Sequence, residues 1–338
     1  MSLPYSLIGE DYLLYYQNHP ANIWTTSGQI QKFLTHNCNT ARLGFAFADA
    51  PPTSTGKHTH SVYVKEKMLE VLAQFQSVGV KVILDNHNVN DHKDYCGSQK
   101  WIQNWRQLAM DFKGNSSVVG FNIFNEPNKS TWDHSLILDG KYDTNAFMLK
   151  MKECIEAIWS IDGQRKIFFP TVQGMGIGLD NPQDFMGLVN AFGLNKQNII
   201  FDISHPYYWE NDWDLGAGLT PELALERLEQ NTIIPYKSLL GANRCWIGES
   251  FAWTGKTREL QVRWLAGLID LCLKHKIGLQ IWSYFGKQTW CNEAIQKSGW
   301  PGSVGGEPIP EHETPQPQDI NALAILIFAA AIAALEGR

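Results

Sequence analysis

One feature of this sequence limits its fold more than any other: short apolar segments alternate with longer amphipathic ones along most of its 338 residues. The short segments are rich in β-branched and aromatic residues, which is typical of parallel strands covered on both faces. Seven are recognisable: TARLGFAF (40–47), KVILDNH (81–87), VVGFNIFNE (118–126), RKIFFPTV (165–172), NIIFDISHPYY (198–208), RCWIGES (244–250) and GLQIWSYF (278–285).

Helical patterns lie between these strands. They cover residues 64–79, 101–114, 144–162, 221–241 and 259–276. Gly79 and Gly114 follow two of the helix ends, where a C-terminal cap is expected. A strand and a helix repeated about seven times predict an α/β fold, the (β/α)8 TIM barrel, with a doubly wound parallel sheet as the alternative. The first strand is poorly defined, and either YSLIG or YLLYY, within residues 5–16, could supply it.

The end of the chain has a different composition. We expect the barrel to cover residues 1–300, a Pro/Gly/Glu-rich loop or linker to cover 301–318, and an apolar C-terminal helix to cover 319–338. Residues 319–335 would span about 25 Å as a helix, which is short of the roughly 30 Å hydrocarbon core of a bilayer. We therefore interpret this segment as the last barrel helix, with a membrane or lipid anchor as the alternative.

The charge and residue composition exclude several classes of function. The net charge is −6 and no Lys/Arg-rich run occurs, which argues against a nucleic-acid partner. The 13 Trp and 11 Tyr can fill a core, but aromatic faces also form the floor of sugar-binding clefts. The six cysteines form no CxxC pair, and Cys272 lies in an apolar run, as expected of a buried thiol. No signal peptide is visible, because Glu10 and Asp11 fall where its apolar core should be.

Polar side chains occur at or near the carboxyl ends of six predicted strands. In a parallel barrel these ends share one face, and barrel enzymes keep their active sites there. Each residue alone has a structural explanation: a cap, an ion pair, a core histidine or plain packing. Their convergence on one face favours a site instead. The set comprises Arg42, His87, Asn125, Glu126, His205, Tyr207, Glu249 and Trp282.

The two glutamates suggest a chemistry. Glu126 ends the fourth strand and Glu249 ends the seventh, so they can face each other across the barrel mouth. Paired carboxylates are the machinery of glycoside hydrolysis, in which one protonates the leaving oxygen and the other attacks the anomeric carbon. Retention of configuration needs the two carboxyl groups roughly 5–5.5 Å apart.

At this point the sequence resembles a known family, glycoside hydrolase family 5, which belongs to the large clan of retaining (β/α)8 glycosidases. The segment FKGNSSVVGFNIFNEP is similar to that family's fourth-strand segment, which ends in Asn-Glu-Pro. ARLGF, VILDNH, SHPYY, WIGES and QIWSYF follow in the family's order and spacing. The resemblance covers about residues 25–290.

The resemblance implies a role for each residue. Glu126 would be the general acid/base and Glu249 the nucleophile. Asn125 would bind the substrate 2-hydroxyl group. Arg42 and Tyr207 would hold the nucleophile and keep it ionised. The remaining residues would line the subsite at the cleavage point, with an aromatic platform formed by the last of them: His87, His205 and Trp282.

These observations lead to a functional expectation. The chain is expected to be a retaining endo-β-1,4-glucanase that acts on a polysaccharide or oligosaccharide, without cofactor or metal, as an extracellular or secreted monomer. An endo-β-mannanase, a β-1,3-glucanase and a non-catalytic carbohydrate-binding barrel are the alternatives. The two glutamates, together with Arg42, Asn125 and Tyr207, argue against a binding protein, which has no chemical need for them.

Overall fold

The structure is a computed structural model of the whole chain. It describes residues 8–13, 39–50, 62–87, 95–125, 127, 137–138, 141–170, 181–208, 219–252, 257–281, 293–294 and 296–299.

Eight parallel strands form a closed barrel, which confirms the predicted fold class. Each strand is hydrogen-bonded to the next in the circle, and the last is bonded to the first. In circular order the strands are β1 (Ile8–Leu13), β2 (Thr40–Phe45), β3 (Lys81–Asn86), β4 (Val118–Asn122), β7 (Lys166–Pro170), β8 (Ile199–Ser204), β10 (Cys245–Ile247) and β12 (Gly278–Ile281).

Two small sheets lie in the connections beyond the barrel strands. An antiparallel hairpin, β5 (Ile137–Leu138) and β6 (Lys141–Tyr142), is inserted after β4. A parallel pair, β9 (Tyr207–Tyr208) and β11 (Phe251–Ala252), follows β8 and β10. This second pair continues two neighbouring barrel strands toward the mouth, so it holds the β8 and β10 loops side by side.

Helices follow most of the strands and cover the outside of the barrel. The α-helices are α1 (Lys65–Ser77), α2 (Gln99–Asp111), α3 (Thr144–Trp159), α4 (Pro182–Ala191), α5 (Pro221–Leu228), α6 (Ile234–Leu240) and α7 (Arg258–His275). A π-helical turn (Glu229–Ile233) joins α5 to α6, and a 3-10 turn (Ala242–Arg244) leads into β10. No helix of the described part is long and apolar enough to cross a membrane.

Alternation along the strands separates two cores. In β2, Ala41, Leu43 and Phe45 are fully buried and belong to the large core between barrel and helices. Thr40 and Arg42 point into the barrel, where Gln280 Nε2 donates to Thr40 Oγ1 at 3.1 Å. This period of two is what a strand buried on both faces requires.

The residues that fill the barrel interior change from apolar to polar along the barrel axis. One level is apolar and is filled by Ile83, Phe168, Ile200 and Trp246, with the rings of Phe168 and Trp246 4.6 Å apart. Two residues further toward the carboxyl ends of β3 and β8, the inward-facing residues are the buried acids Asp85 and Asp202. Buried charges need partners, and these partners form the site described in the next section.

The sequence-based boundaries fit most elements within a few residues, with two informative differences. The first strand takes part of both candidate segments, because Ile8–Leu13 overlaps the end of YSLIG and the start of YLLYY. Helix α4 was not predicted, although Asn181 caps it and Pro182 opens it. Gly79 and Gly114 adopt the positive φ values expected of caps, 76° and 71°. Two other predicted segments, the linker at 301–318 and the C-terminal helix at 319–338, lie outside the described residues.

Candidate active site

The structure describes six of the eight predicted site residues, which lie in the barrel strands or in the segments that follow them. The side chains of Arg42, His87, Asn125, His205 and Glu249 are described, and each is at least largely buried. Tyr207 lies in β9, where only its backbone is described. Two predicted residues lie outside the described part: Glu126 and Trp282.

Arg42 is the centre of the site. Its side chain is 1 % exposed and points into the barrel from β2. Nη1 lies 3.0 Å from Oε2 of Glu249, and Nη2 lies 3.1 Å from Oδ2 of Asp85. Nη2 also donates to Oδ1 of Asn125. A planar guanidinium can reach all three acceptors because its donors are spread in a fixed fork.

His87 and Asn125 extend this network. His87 Nδ1 lies 2.7 Å from Oδ2 of Asp85, and its Nε2 lies 3.2 Å from Nδ2 of Asn125. Asn125 contacts Arg42 through its other side-chain atom, Oδ1. Asp85, His87, Asn125 and Arg42 therefore form a closed ring of three hydrogen bonds and one ion pair, in which Oδ2 of Asp85 faces both Arg42 and His87.

Glu249 follows β10 directly after Gly248 and is 4 % exposed. A carboxylate that is so far removed from water needs a compensating charge, and Arg42 supplies it. The next residue, Ser250, donates from Oγ to the carbonyl oxygen of Gln280 at 3.3 Å. This bond ties the end of β10 to β12, so the segment that carries Glu249 is attached on both sides.

His205 is held by a second buried carboxylate. Its Nε2 lies 2.6 Å from Oδ2 of Asp202, and the other oxygen of Asp202 accepts from the backbone N–H of Gly248 at 2.8 Å. Asp202 thus joins the β8 segment that carries His205 to the β10 segment that carries Glu249. A side chain at position 248 would overlap the Asp202 carboxylate, so this approach requires glycine.

The backbone of Tyr207 is placed beside the nucleophile candidate. In the β9–β11 pair, Tyr207 is the register partner of Phe251, which lies two residues after Glu249. The position is compatible with the expected hydrogen bond from Tyr207 to Glu249. That role remains a prediction.

The rim of the mouth has its own hydrogen-bonded group. Asp49, after β2, accepts from Tyr95 Oη and from Asn104 Nδ2, both at 2.7 Å. Burial raises the pKa of the Asp49 carboxyl, but the hydrogen bonds from Tyr95, Lys100 and Asn104 outweigh it and leave that pKa below its usual value. Burial and the neighbouring Asp49 raise the pKa of the Tyr95 hydroxyl. The ionised Asp49 therefore fastens the loop after β2 to the loop before α2.

Sequence reasoning missed two residues of the site, Asp85 and Asp202. Both are buried, at 0 % and 4 % exposure, and both hold histidines that were predicted. The sequence did contain a signal for both residues. A single acidic residue inside an apolar strand costs free energy to bury, so its presence indicates a buried partner. In VILDNH, Asp85 and His87 are also two residues apart and so share a face of the strand.

Within the described residues, no group of three or more His, Cys, Asp or Glu side chains is arranged to hold a metal ion.

Comparisons with known proteins give the family. A model described as "Cellulase (glycosyl hydrolase family 5)" matches residues 13–238, about two thirds of the chain. The match includes Arg42, Asn125 and His205, whereas Glu249 lies beyond its end. A search of curated proteins found no match.

Solved structures give the same fold at low identity. Endoglucanase Cel5A from the hyperthermophile Thermotoga maritima aligns with a TM-score of 0.62 and 14 % identity, covering 86 % of this chain and 96 % of that one. The Thermotoga maritima Cel5A complex with mannotriose aligns at 0.62 and 15 %, covering 87 % and 98 %. Pseudomonas stutzeri endoglucanase Cel5A in complex with cellobiose aligns at 0.57 and 16 %, covering 82 % and 83 %.

At such identities the structural matches establish the barrel, while the family match establishes descent. The chain therefore belongs to glycosyl hydrolase family 5, the cellulase family, and is a glycoside hydrolase.

Proposed function

We propose that this chain is a retaining, endo-acting β-glycanase that cleaves β-1,4-glucan by double displacement. One observation carries the proposal: the buried carboxylate of Glu249 and the amide of Asn125 contact the same guanidinium, that of Arg42. Glu126 directly follows Asn125 in the chain. The shared contact supports a short distance between the segments that carry the two glutamates.

In the proposed reaction, Glu249 attacks the anomeric carbon while Glu126 protonates the leaving oxygen. Glu126 then deprotonates the water that releases the sugar. Arg42 holds the attacking carboxylate in place, with help from the Tyr207 hydroxyl. Asn125 binds the 2-hydroxyl group, and His87, His205 and Trp282 line the subsite. The chemistry requires two carboxyl groups and water, so we propose no cofactor.

The choice of substrate is guided by the structural matches. β-1,4-Glucan fits the endoglucanases among the structural matches and the cellobiose bound to one of them. A β-mannan is the second candidate, because another match is a complex with mannotriose. We also propose that the enzyme acts outside the cell as a monomer, as suits a large insoluble substrate.

A polysaccharide panel tests the function. Reducing-sugar release is measured on carboxymethyl cellulose, barley β-glucan, galactomannan, xyloglucan, xylan and laminarin. We expect cleavage of the β-1,4-glucans, and a loss on the order of 10⁴-fold or more in Glu249→Gln and in Glu126→Gln. Glu259→Gln, which changes a glutamate of 80 % side-chain exposure on α7, is the matched control and should retain full activity. Binding of a glycan without cleavage of any would point instead to a carbohydrate-binding barrel.

Azide distinguishes the roles of the two glutamates. In Glu249→Ala, azide can occupy the vacated space and attack the anomeric carbon, giving a glycosyl azide of inverted configuration. In Glu126→Ala, azide attacks the covalent intermediate and gives a product of retained configuration. If the two variants gave the opposite products, the assignments of nucleophile and acid/base would have to be exchanged.

A further inference from the structure

We propose that Asp85 is a positioning residue of this site: it fixes the proton of His87 on Nδ1 and thereby fixes the orientation of the Asn125 amide. The inference concerns a residue that the mechanism above does not use, and its catalytic consequence rests on the proposed function. It is carried by the closed ring of Asp85, His87, Asn125 and Arg42.

The direction of every hydrogen bond in the ring follows from its charged members. Arg42 can only donate, so the Asn125 atom that faces it must be Oδ1. The Asn125 atom that faces His87 is then Nδ2, which only donates. His87 Nε2 must therefore accept and carry no proton.

The proton of the neutral imidazole then lies on Nδ1. This nitrogen lies 2.7 Å from the carboxylate oxygen Oδ2 of Asp85, which accepts it. Asp85 is fully buried, so no water competes for this bond. The ring is consistent with only one neutral tautomer of His87, and Asp85 is the group that selects it.

The orientation of Asn125 has a consequence for the substrate. One N–H of Nδ2 is directed to His87, and Oδ1 is directed to Arg42. The second N–H of the same amide is left to donate to the sugar 2-hydroxyl group. With the proton on His87 Nε2 instead, two donors would face each other, and turning the amide over would place its NH₂ group against the Arg42 guanidinium.

The arrangement also predicts which replacements of Asp85 are tolerated. Arg42 and His87 both approach the same oxygen, Oδ2. In Asp85→Asn, Arg42 requires the amide oxygen at that place, so the same oxygen also accepts from His87. In Asp85→Leu, a larger side chain with the same branching at Cγ offers no acceptor to either residue.

The tautomer can be measured directly in the full-length protein without any substrate. The protein is labelled with ¹⁵N-histidine, and the ring-nitrogen chemical shifts are recorded by NMR; His87→Gln identifies the His87 signals. We expect a protonated Nδ1 and an unprotonated Nε2 in the wild type and in Asp85→Asn. We expect loss of this pattern in Asp85→Leu. A wild-type His87 protonated on Nε2 would overturn the proposal, even if Asp85→Leu failed to fold.

Kinetics then separate positioning from a merely structural role. Asp85→Leu should lower kcat/KM by on the order of 10²-fold, because misplaced groups near the reacting atoms cost about that much. The loss should fall mainly on kcat, since hydrogen bonds to the 2-hydroxyl group strengthen in the transition state. Asp85→Asn should restore most of the activity. Equal losses in Asn and Leu variants, with an unchanged tautomer in both, would overturn the proposal.

A control uses another Asp–Arg pair, in which the arginine is buried and the aspartate is partly exposed. Asp162 pairs with Arg165 at 2.8 Å before β7, at the opposite end of the barrel. Asp162→Asn should change neither the His87 signals nor kcat/KM. If the wild type cleaved no glycan, the proposed function would be wrong. The tautomer measurement would still show whether Asp85 fixes the proton of His87 on Nδ1.

Discussion

Nη1 of Arg42 lies 3.0 Å from Oε2 of Glu249, and the two residues are 207 positions apart in the sequence. Both side chains are almost completely buried, at 1 % and 6 % exposure. The same guanidinium also meets Asp85, so one cation serves two carboxylates. The barrel thus concentrates charge at the place where the chemistry is expected, and several measurements can test how that charge is used.

The first prediction concerns the geometry of Arg42. Arg42→Lys keeps the positive charge but cannot reach Glu249, Asp85 and Asn125 together. We expect kcat/KM to fall by about 10²-fold because Glu249 loses its fixed position. Arg165→Lys is the control, because Arg165 is also buried and contacts Asp162 and the Phe112 carbonyl far from the mouth. Full activity in Arg42→Lys would show that charge alone is sufficient.

The second prediction concerns the close approach at Gly248. A methyl group there would collide with Asp202, which holds His205 and the Gly248 N–H. We expect Gly248→Ala to destabilise the protein by about 1–3 kcal/mol and to lower kcat/KM. Gly187→Ala is the control, because a Cβ at that exposed site of α4 would meet nothing within 4 Å. It should stabilise the helix by roughly 0.5–1 kcal/mol. Similar stabilities of the two variants would contradict the predicted clash.

The third prediction is a pH dependence of stability. Hydrogen bonds from Lys274 and His275 lower the pKa of Glu229, at the start of the π-helical turn. A lowered carboxyl pKa in the folded state contributes stability above the unfolded pKa, and that contribution is lost as the pH falls through the folded value. Glu229→Gln should therefore cost about 1 kcal/mol at pH 5.5.

The difference between wild type and Glu229→Gln should shrink as the pH is lowered below the usual Glu pKa of about 4.3. Denaturant unfolding at pH 5.5 and pH 3.5 measures it. Glu259→Gln, at the exposed surface, should change stability by less than about 0.5 kcal/mol at either pH. A gap that widened toward pH 3.5 would refute the assigned sign.

The fourth prediction concerns thiol reactivity. Four of the six cysteines are buried thiols: Cys96, Cys154, Cys245 and Cys272. Burial raises the pKa of Cys245 to about 12 and also raises those of Cys154 and Cys272. Since the thiolate is the reactive form, a thiol reagent at pH 8 should modify at most two cysteines quickly in the native protein. Three or more fast reactions would show that the core opens readily.

The barrel could be predicted because its strands carry strong local signals. The run KVILDNH is apolar, short and bounded, and it forms Lys81–Asn86 as expected. The first strand carries no such signal, since Gly9, Glu10 and Asp11 interrupt its apolar pattern. Its pairing is fixed by neighbours on both sides, which only the closed barrel provides. Helix α4 was missed because Gly187 weakens its pattern, although the Asn181–Pro182 start was a usable signal.

The sequence singled out individual candidate residues, but it gave no information on the contacts that join them. Position at or near the carboxyl ends of the predicted strands selected Arg42, His87, Asn125, His205 and Glu249. The structure brings four of these into one connected group around Arg42. Asp85 was overlooked because an acidic residue inside a predicted strand only interrupts the apolar pattern and does not by itself indicate a role. The role of Asp85 depends on its contact with Arg42 of β2, and a pattern within one segment of the sequence cannot reveal a contact between two strands. The roles assigned to all of these residues, and to Glu126, Tyr207 and Trp282, remain predictions.

The closure of the barrel by β1 has a consequence for N-terminal truncation of this protein. The family match begins at residue 13, at the very end of β1. A chain shortened to that boundary would lose the strand that joins β2 to β12. The sheet would then have two unpaired edges, which are templates for intermolecular strand pairing. Such a fragment should aggregate although every predicted catalytic residue is still present, so the first dozen residues should be kept in any shortened version.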